Sequence, residues 1–142
     1  MRFGWVVLAV LAGACAETRS SPPRGLRVPL PDGWVAKAGT DGVLRVGPKG
    51  RVVLTLERRS APLPSLETLK AAVEAEGGVV VRAGNAVDST TVRYTKPAPG
   101  SLTVRTLENG GLLLCASTPD ATQEELDDAE ALCGKVRLEA RP

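Results

Sequence analysis

Leu112 to Ser117 (LLLCAS) has no polar face, whichever way an extended chain is turned. Successive side chains of a strand point to opposite sides. A strand apolar on both sides therefore belongs inside a sheet that is covered above and below. We place it at the centre and arrange the other strands outward from it. Asn109-Gly110, just ahead of it, is the strongest short hairpin signal in the chain, because both central positions of a type I′ turn take positive φ. That turn joins it to Leu102–Glu108, with Leu102 and Val104 inward and Thr103 and Arg105 outward.

Elsewhere the alternation is one-sided. Arg51–Arg58 places Val52, Leu54 and Leu56 on one face and Thr55 and Glu57 on the other, which is the period of a half-buried strand. Thr90–Lys96 does the same with Val92 and Tyr94 against Thr91, Arg93 and Thr95. Shorter strands are expected at Leu26–Val28, Trp34–Ala36, Val43–Val46, Val79–Arg82 and Val136–Leu138, separated by Pro, Gly and Asp turns. Two stretches switch to helical spacing. In Leu66–Glu76, Leu66, Leu69 and Val73 share a stripe, Ser65 is the N-cap and Gly77-Gly78 the stop. In the second, Thr122 and Glu125 form a capping box, Leu126, Ala129, Leu132 and Cys133 make the apolar stripe, and Gly134 ends it. The expected fold is α+β: a single domain with an antiparallel sheet of about seven strands and two helices packed on it.

Ahead of the domain, Met1 to Cys15 (MRFGWVVLAVLAGAC) reads as an export signal. One Arg precedes an apolar run from Phe3 to Leu11, too short for a membrane span of about twenty residues and followed by small residues. Ala12-Gly13-Ala14-Cys15 resembles a lipobox, with Ala12 where Leu is usual. The expected organisation is a signal peptide over 1–14, a lipidated Cys15 with a tether over 15–24, and the domain over 25–142. Cleavage by the ordinary peptidase, after Ala14 or after Ala16, is the competing outcome. Ala16 follows Cys15 where Asp would favour the inner membrane, so the outer membrane is preferred.

An exported chain folds under oxidising conditions, which makes a Cys115–Cys133 disulfide the expected use of the other two cysteines. A metal pair lacks further ligands, since the chain has no histidine. A redox pair is more often a close C-x-x-C. Cys15 is then the odd thiol.

The missing residue types limit function. Arg2 is the one basic residue ahead of Cys15, so 17 basic and 16 acidic residues remain after it, net +1. That balance gives no broad attraction to nucleic acid or to anionic lipid. Trp34 and Tyr94 are the aromatics that remain beyond Cys15, too few for base stacking or an aromatic-lined pocket. Without histidine, Ser-His-Asp and Cys-His sites are impossible. A Ser–Lys dyad stays open, but the seryl residues are expected in turns, caps and tether, and none lies in a G-x-S-x-G elbow. Glu124, Glu125, Asp127 and Asp128 suit a helix start better than a calcium or acid–base site. Arg58-Arg59 is read as protection of a sheet edge, and Trp34 as the bulky plug of the core.

Val28 to Trp34 (V-P-L-P-D-G-W), the hairpin after it, the helix after Pro64, the four-strand run and the closing helix and strand resemble the PsbP-like superfamily. The resemblance covers about Gly25 to Glu139. It implies a non-catalytic domain that docks onto, or helps assemble, a larger complex. The expected function is a non-enzymatic envelope lipoprotein, anchored to the lipid bilayer through Cys15, with an envelope protein as partner and with no nucleic acid, metal or cofactor. A carrier of a small apolar or lipid ligand, held between sheet and helices, is the alternative. An envelope hydrolase is third.

Overall fold

The computed structural model describes residues 25–140. The signal segment 1–14, Cys15 and the tether 15–24 lie outside the described residues. The elements in chain order are β1 (Leu26–Arg27), β2 (Trp34–Ala38), β3 (Leu44–Pro48), β4 (Leu54–Arg59), α1 (Leu66–Ala75), β5 (Val80–Ala86), β6 (Ser89–Tyr94), β7 (Gly100–Thr106), β8 (Leu112–Ser117), α2 (Gln123–Lys135) and β9 (Arg137–Leu138). Seven strands form one antiparallel sheet in the order β2-β3-β4-β8-β7-β6-β5. β1 and β9 pair with each other as a separate ribbon. No helix among the described residues is long and apolar enough to cross a membrane.

β8 is the middle strand of the seven, as its two apolar faces require. Leu112 packs with Leu69 and Val73 of α1, together with Val92 and Val104. Leu113 and Cys115 pack with Leu126, Ala129, Leu132 and Cys133 of α2, together with Leu54 and Leu56. Neighbouring residues of one strand thus feed two separate cores, and the helices lie on opposite faces. Each helix covers part of its face. α1 lies over β5 and β6, and α2 over β7 and β8.

Local chemistry explains the helix boundaries. The Thr68 N–H donates to Ser65 Oγ, capping α1. The Gly77 and Gly78 N–H groups donate to the Glu74 and Val73 carbonyls, which is the Schellman ending of a helix. The reciprocal Thr122–Glu125 bonds cap α2. Gly134 does not end α2. The helix runs to Lys135 and stops where Val136, with ψ 136°, turns extended. Val136 is fully buried, so the pull of the core, not glycine geometry, sets that boundary.

Three strand expectations need correction. Thr103 and Arg105 do not face outward: both are buried on the side of β7 that α2 covers, where Arg105 Nη1 donates to the Val136 carbonyl. The β7–β8 turn is not type I′. Asn109 does not have positive φ, and Gly110 alone does, at 88°. Gly110 N–H donates to the Leu107 carbonyl and Leu107 N–H to the Gly111 carbonyl. This is a type I turn with a glycine bulge, and the Asn109 side chain accepts from the Gly111 N–H. The Arg51 end of β4 also differs. Val53, not Val52, is fully buried, and the ladder starts at Leu54. Arg51 folds back to donate to the Pro48 carbonyl. The Arg51 carbonyl then lies 2.2 Å from where a Gly47 Cβ would be, an approach open only to glycine.

Cys115 and Cys133 are joined by a disulfide that links β8 to α2. Their separation of 18 residues corresponds to about 3 kcal/mol of chain-entropy stabilisation. A Cys115→Ala/Cys133→Ala chain is expected to fold but to lose about 3 kcal/mol in urea unfolding. A loss below about 0.5 kcal/mol would show the bond to be energetically idle.

Candidate functional site

β5 and β6 carry polar side chains toward the α2 face, and α2 stops short of covering them. Thr91 and Arg93 point there because Thr90, Val92 and Tyr94 face α1. Glu130, on the same side of α2 as Asp127, reaches across to meet them. Its carboxylate accepts from Arg82 Nη2 at 2.9 Å, from Arg93 Nε, and from Ser101 Oγ at 3.0 Å. Arg93 Nη2 donates in addition to Asp127 at 2.7 Å. Thr91 and Thr103 share a hydroxyl hydrogen bond of 3.0 Å beside them. The clasp divides the surface into two grooves. One, of about 360 Å³, runs from Arg82 along Ala83–Ala86 to Ser89 and Thr91. The other, of about 280 Å³, lies between Tyr94, Gln123 and Leu126.

The electrostatics are those of a closed network. The Arg93 side chain is 11% exposed and Glu130 22%. Burial by itself would lower the Arg93 guanidinium, but the hydrogen bonds to Asp127 and Glu130 outweigh it and hold its pKa above the ordinary value. The Glu130 carboxylate is engaged by two guanidinium groups and the Ser101 hydroxyl, so it is not positioned to take a proton from a substrate. The Ser101 hydroxyl is committed to that same carboxylate, and no lysine lines either groove. The arrangement can bind and orient. It has no activated nucleophile.

The four acids at the start of α2 are not gathered into one site. Glu125 pairs with Arg51 and with the Thr122 N–H, and both lower its pKa, Arg51 the more. Asp127 pairs with Arg93, while Glu124 and Asp128 are exposed. No group of three acids or cysteines is placed to hold a metal ion among the described residues. Trp34 is half-buried against the α2-side core, alongside Leu26, Val28 and Leu44, so it seals the margin of the core and does not plug its centre.

Arg58-Arg59 is not on an outer strand of the sheet, since β4 lies between β3 and β8, but it is on the part of β4 that β3 does not reach. β3 begins opposite Leu56, so Glu57 to Arg59 pair with β8 alone. There Arg59 meets Glu57 and lines a groove of about 670 Å³ with the β7–β8 turn. Ser101 and Ser117 are likewise not in turns. They sit on β7 and β8, where Ser117 Oγ accepts from the Ser101 N–H at 2.8 Å.

Sequence reading missed Glu130, Ser101 and Arg82. The available signal was Arg93, a charge inside an otherwise well-alternating strand. Its partner lies 37 residues away, a distance that local pattern does not bridge.

No family model matches the chain, and no curated protein sequence matches it. Among solved structures it is similar to the solution structure of cyanobacterial PsbP (CyanoP) from Synechocystis sp. PCC 6803. The identity is 12%, over 84% of this chain and 96% of that one, with a TM-score of 0.46.

Glu130→Gln removes the charge that compensates a nearly buried Arg93 and is expected to cost about 2 kcal/mol in urea unfolding. Arg82→Ala, whose side chain is 62% exposed, should cost under about 0.5 kcal/mol. Equal losses from the two would show that the clasp does not centre on Arg93.

Proposed function

We propose that the chain is a non-enzymatic, membrane-anchored protein of the cell envelope. Its α+β domain docks onto a larger protein assembly by accepting an extended segment along β5. The observation that carries the docking role is the state of that edge. β5 spans seven residues and pairs with β6 on one side only. Val79, just before it, and Val81, within it, are 51% and 59% exposed. After the register shift between Val80 and Arg82, the strand runs regular to Ala86. It has no proline, and its one charge, Arg82, is turned onto Glu130. Exposed edges are usually guarded by lysine, proline or a covering loop. β2, the other edge, is five residues long and carries Lys37. Beyond that register shift, the regular stretch Ala83–Ala86 carries no charge and no proline and suits strand addition, in which backbone hydrogen bonds supply affinity and flanking side chains supply choice.

The engaged state of Glu130 and Ser101 supports a non-catalytic role, as does a chain without histidine. The export signal, the lone Cys15 and the polar tether support anchorage. The carrier alternative has less support. Leu69, Val73, Val92, Val104 and Leu112 fill the space under α1, and a second buried cluster fills the space under α2.

A photo-crosslinking residue at position 81 in native envelopes is expected to give a discrete protein adduct, and one at position 49 none. A Val81→Lys/Ala86→Lys chain, labelled at Asn85, should lose the adduct while keeping its circular dichroism. Equal adducts from 81 and 49, or an adduct indifferent to the lysines, would overturn the β5 assignment. The intact mass of the native protein tests the anchor separately, through the presence or absence of lipid on Cys15.

A further inference from the structure

The overall charge balance conceals a separation along the strand direction. The end where α2 begins carries Asp120, Glu124, Glu125, Asp127 and Asp128, of which all but Glu125 are exposed. The opposite end is formed by the last turn of α2, the β1–β9 ribbon and the β5–β6 and β7–β8 turns, and there Arg27, Arg59, Lys135 and Arg137 are exposed, alongside the acidic residues Asp88, Glu108 and Glu139. Arg27 and Arg137 stand directly opposite each other in the ribbon. Like charges in that position repel. Arg137 donates to the Gly134 and Val136 carbonyls, so backbone oxygens, not a carboxylate, receive it. Nearby, the carboxylate of Glu108, an exposed residue, accepts from the Leu138 N–H. Glu139 follows on the ribbon, its N–H on the Gly25 carbonyl. Gly25 is therefore at this end, and residues 1–24 join the domain here.

We infer that this end is a membrane-facing surface, on which Arg27, Lys135 and Arg137 dock against anionic phospholipid headgroups. The inference rests on the anchored reading above, because attachment at Cys15 is what brings this end to the bilayer. The nine residues from Ala16 to Arg24 reach at most about 30 Å, so the tether permits contact without enforcing it. Headgroup attraction falls off within about 8 Å at physiological salt. The ribbon is the described part nearest the point of attachment, and a phosphate between Arg27 and Arg137 relieves their repulsion. The acidic start of α2 is repelled by the same surface and points away from it. β5 then stands side-on to the membrane and free to pair.

The test uses residues 15–142 with the Cys115–Cys133 bond intact, coupled through Cys15 to maleimide lipids. The vesicles are of phosphatidylcholine alone or of an equal mixture with phosphatidylglycerol. Acetylation of Lys135 should slow about fivefold on the anionic vesicles and recover in high salt. Lys49, at the acidic end, should react equally on both. An Arg27→Glu/Arg137→Glu chain should show no slowing at Lys135. Equal Lys135 rates on the two vesicles, or slowing of Lys49 and Lys135 alike, would overturn the inference. Because the maleimide supplies the anchor, a native Cys15 without lipid would remove the anchored reading and leave this measurement standing.

Discussion

Everything in this fold depends on β8 being buried from both sides. Leu112 and Leu114 need one apolar partner layer, while Leu113 and Cys115 need another. A single helix cannot serve both, so the chain needs α1 and α2 on opposite faces of the sheet. The hairpins then take their places as flanks. β4 and β7 pair with the central strand, and the β2 and β5 edges are as far from it as the sheet extends. Each face carries its own cluster, which is how 116 described residues with few aromatics bury enough surface without one large plug.

What could be read from the sequence follows from that arrangement. Strand and helix identities were legible because each core-facing stripe has a fixed period, and the caps at Ser65 and Thr122 are local chemistry between residues three apart. Details set by distant contacts were not. Gly134 looks like a stop, but burial of Val136 carries the helix past it. Asn109-Gly110 looks like a two-residue hairpin, yet Leu107 closes a longer turn with Gly111. Arg59 sits on an interior strand, yet β3 stops short of it and leaves β4 open there on the side away from β8.

The polar side of the molecule was the least legible. Glu130 lies between helix residues with nothing to mark it, and its role exists only because β6 and β7 bring Arg93 and Ser101 beneath it. Charge behaves in the same way. A count near neutrality says nothing of where the charges fall, and it takes the antiparallel run of α2 against β8 to set an acidic end apart from the other. Composition limits what a chain can attract only when its charges are evenly spread; here the acids collect at the start of α2, while Arg27, Lys135 and Arg137 stand at the other end among Asp88, Glu108 and Glu139.

The disulfide has a consequence for how the domain comes apart. It joins the central strand to α2 alone, making those two layers one covalent body. α1 is held to the sheet by apolar contacts through Leu69 and Val73, with Pro62, Pro64 and the Gly77-Gly78 ending as its attachments. Opening of small free-energy cost therefore starts with α1. Such a partly opened domain keeps its strapped half folded while uncovering Leu112, Leu114 and Val104. The two faces of the sheet thus differ in kinetic permanence, one fixed by a covalent bond and the other by packing that can breathe.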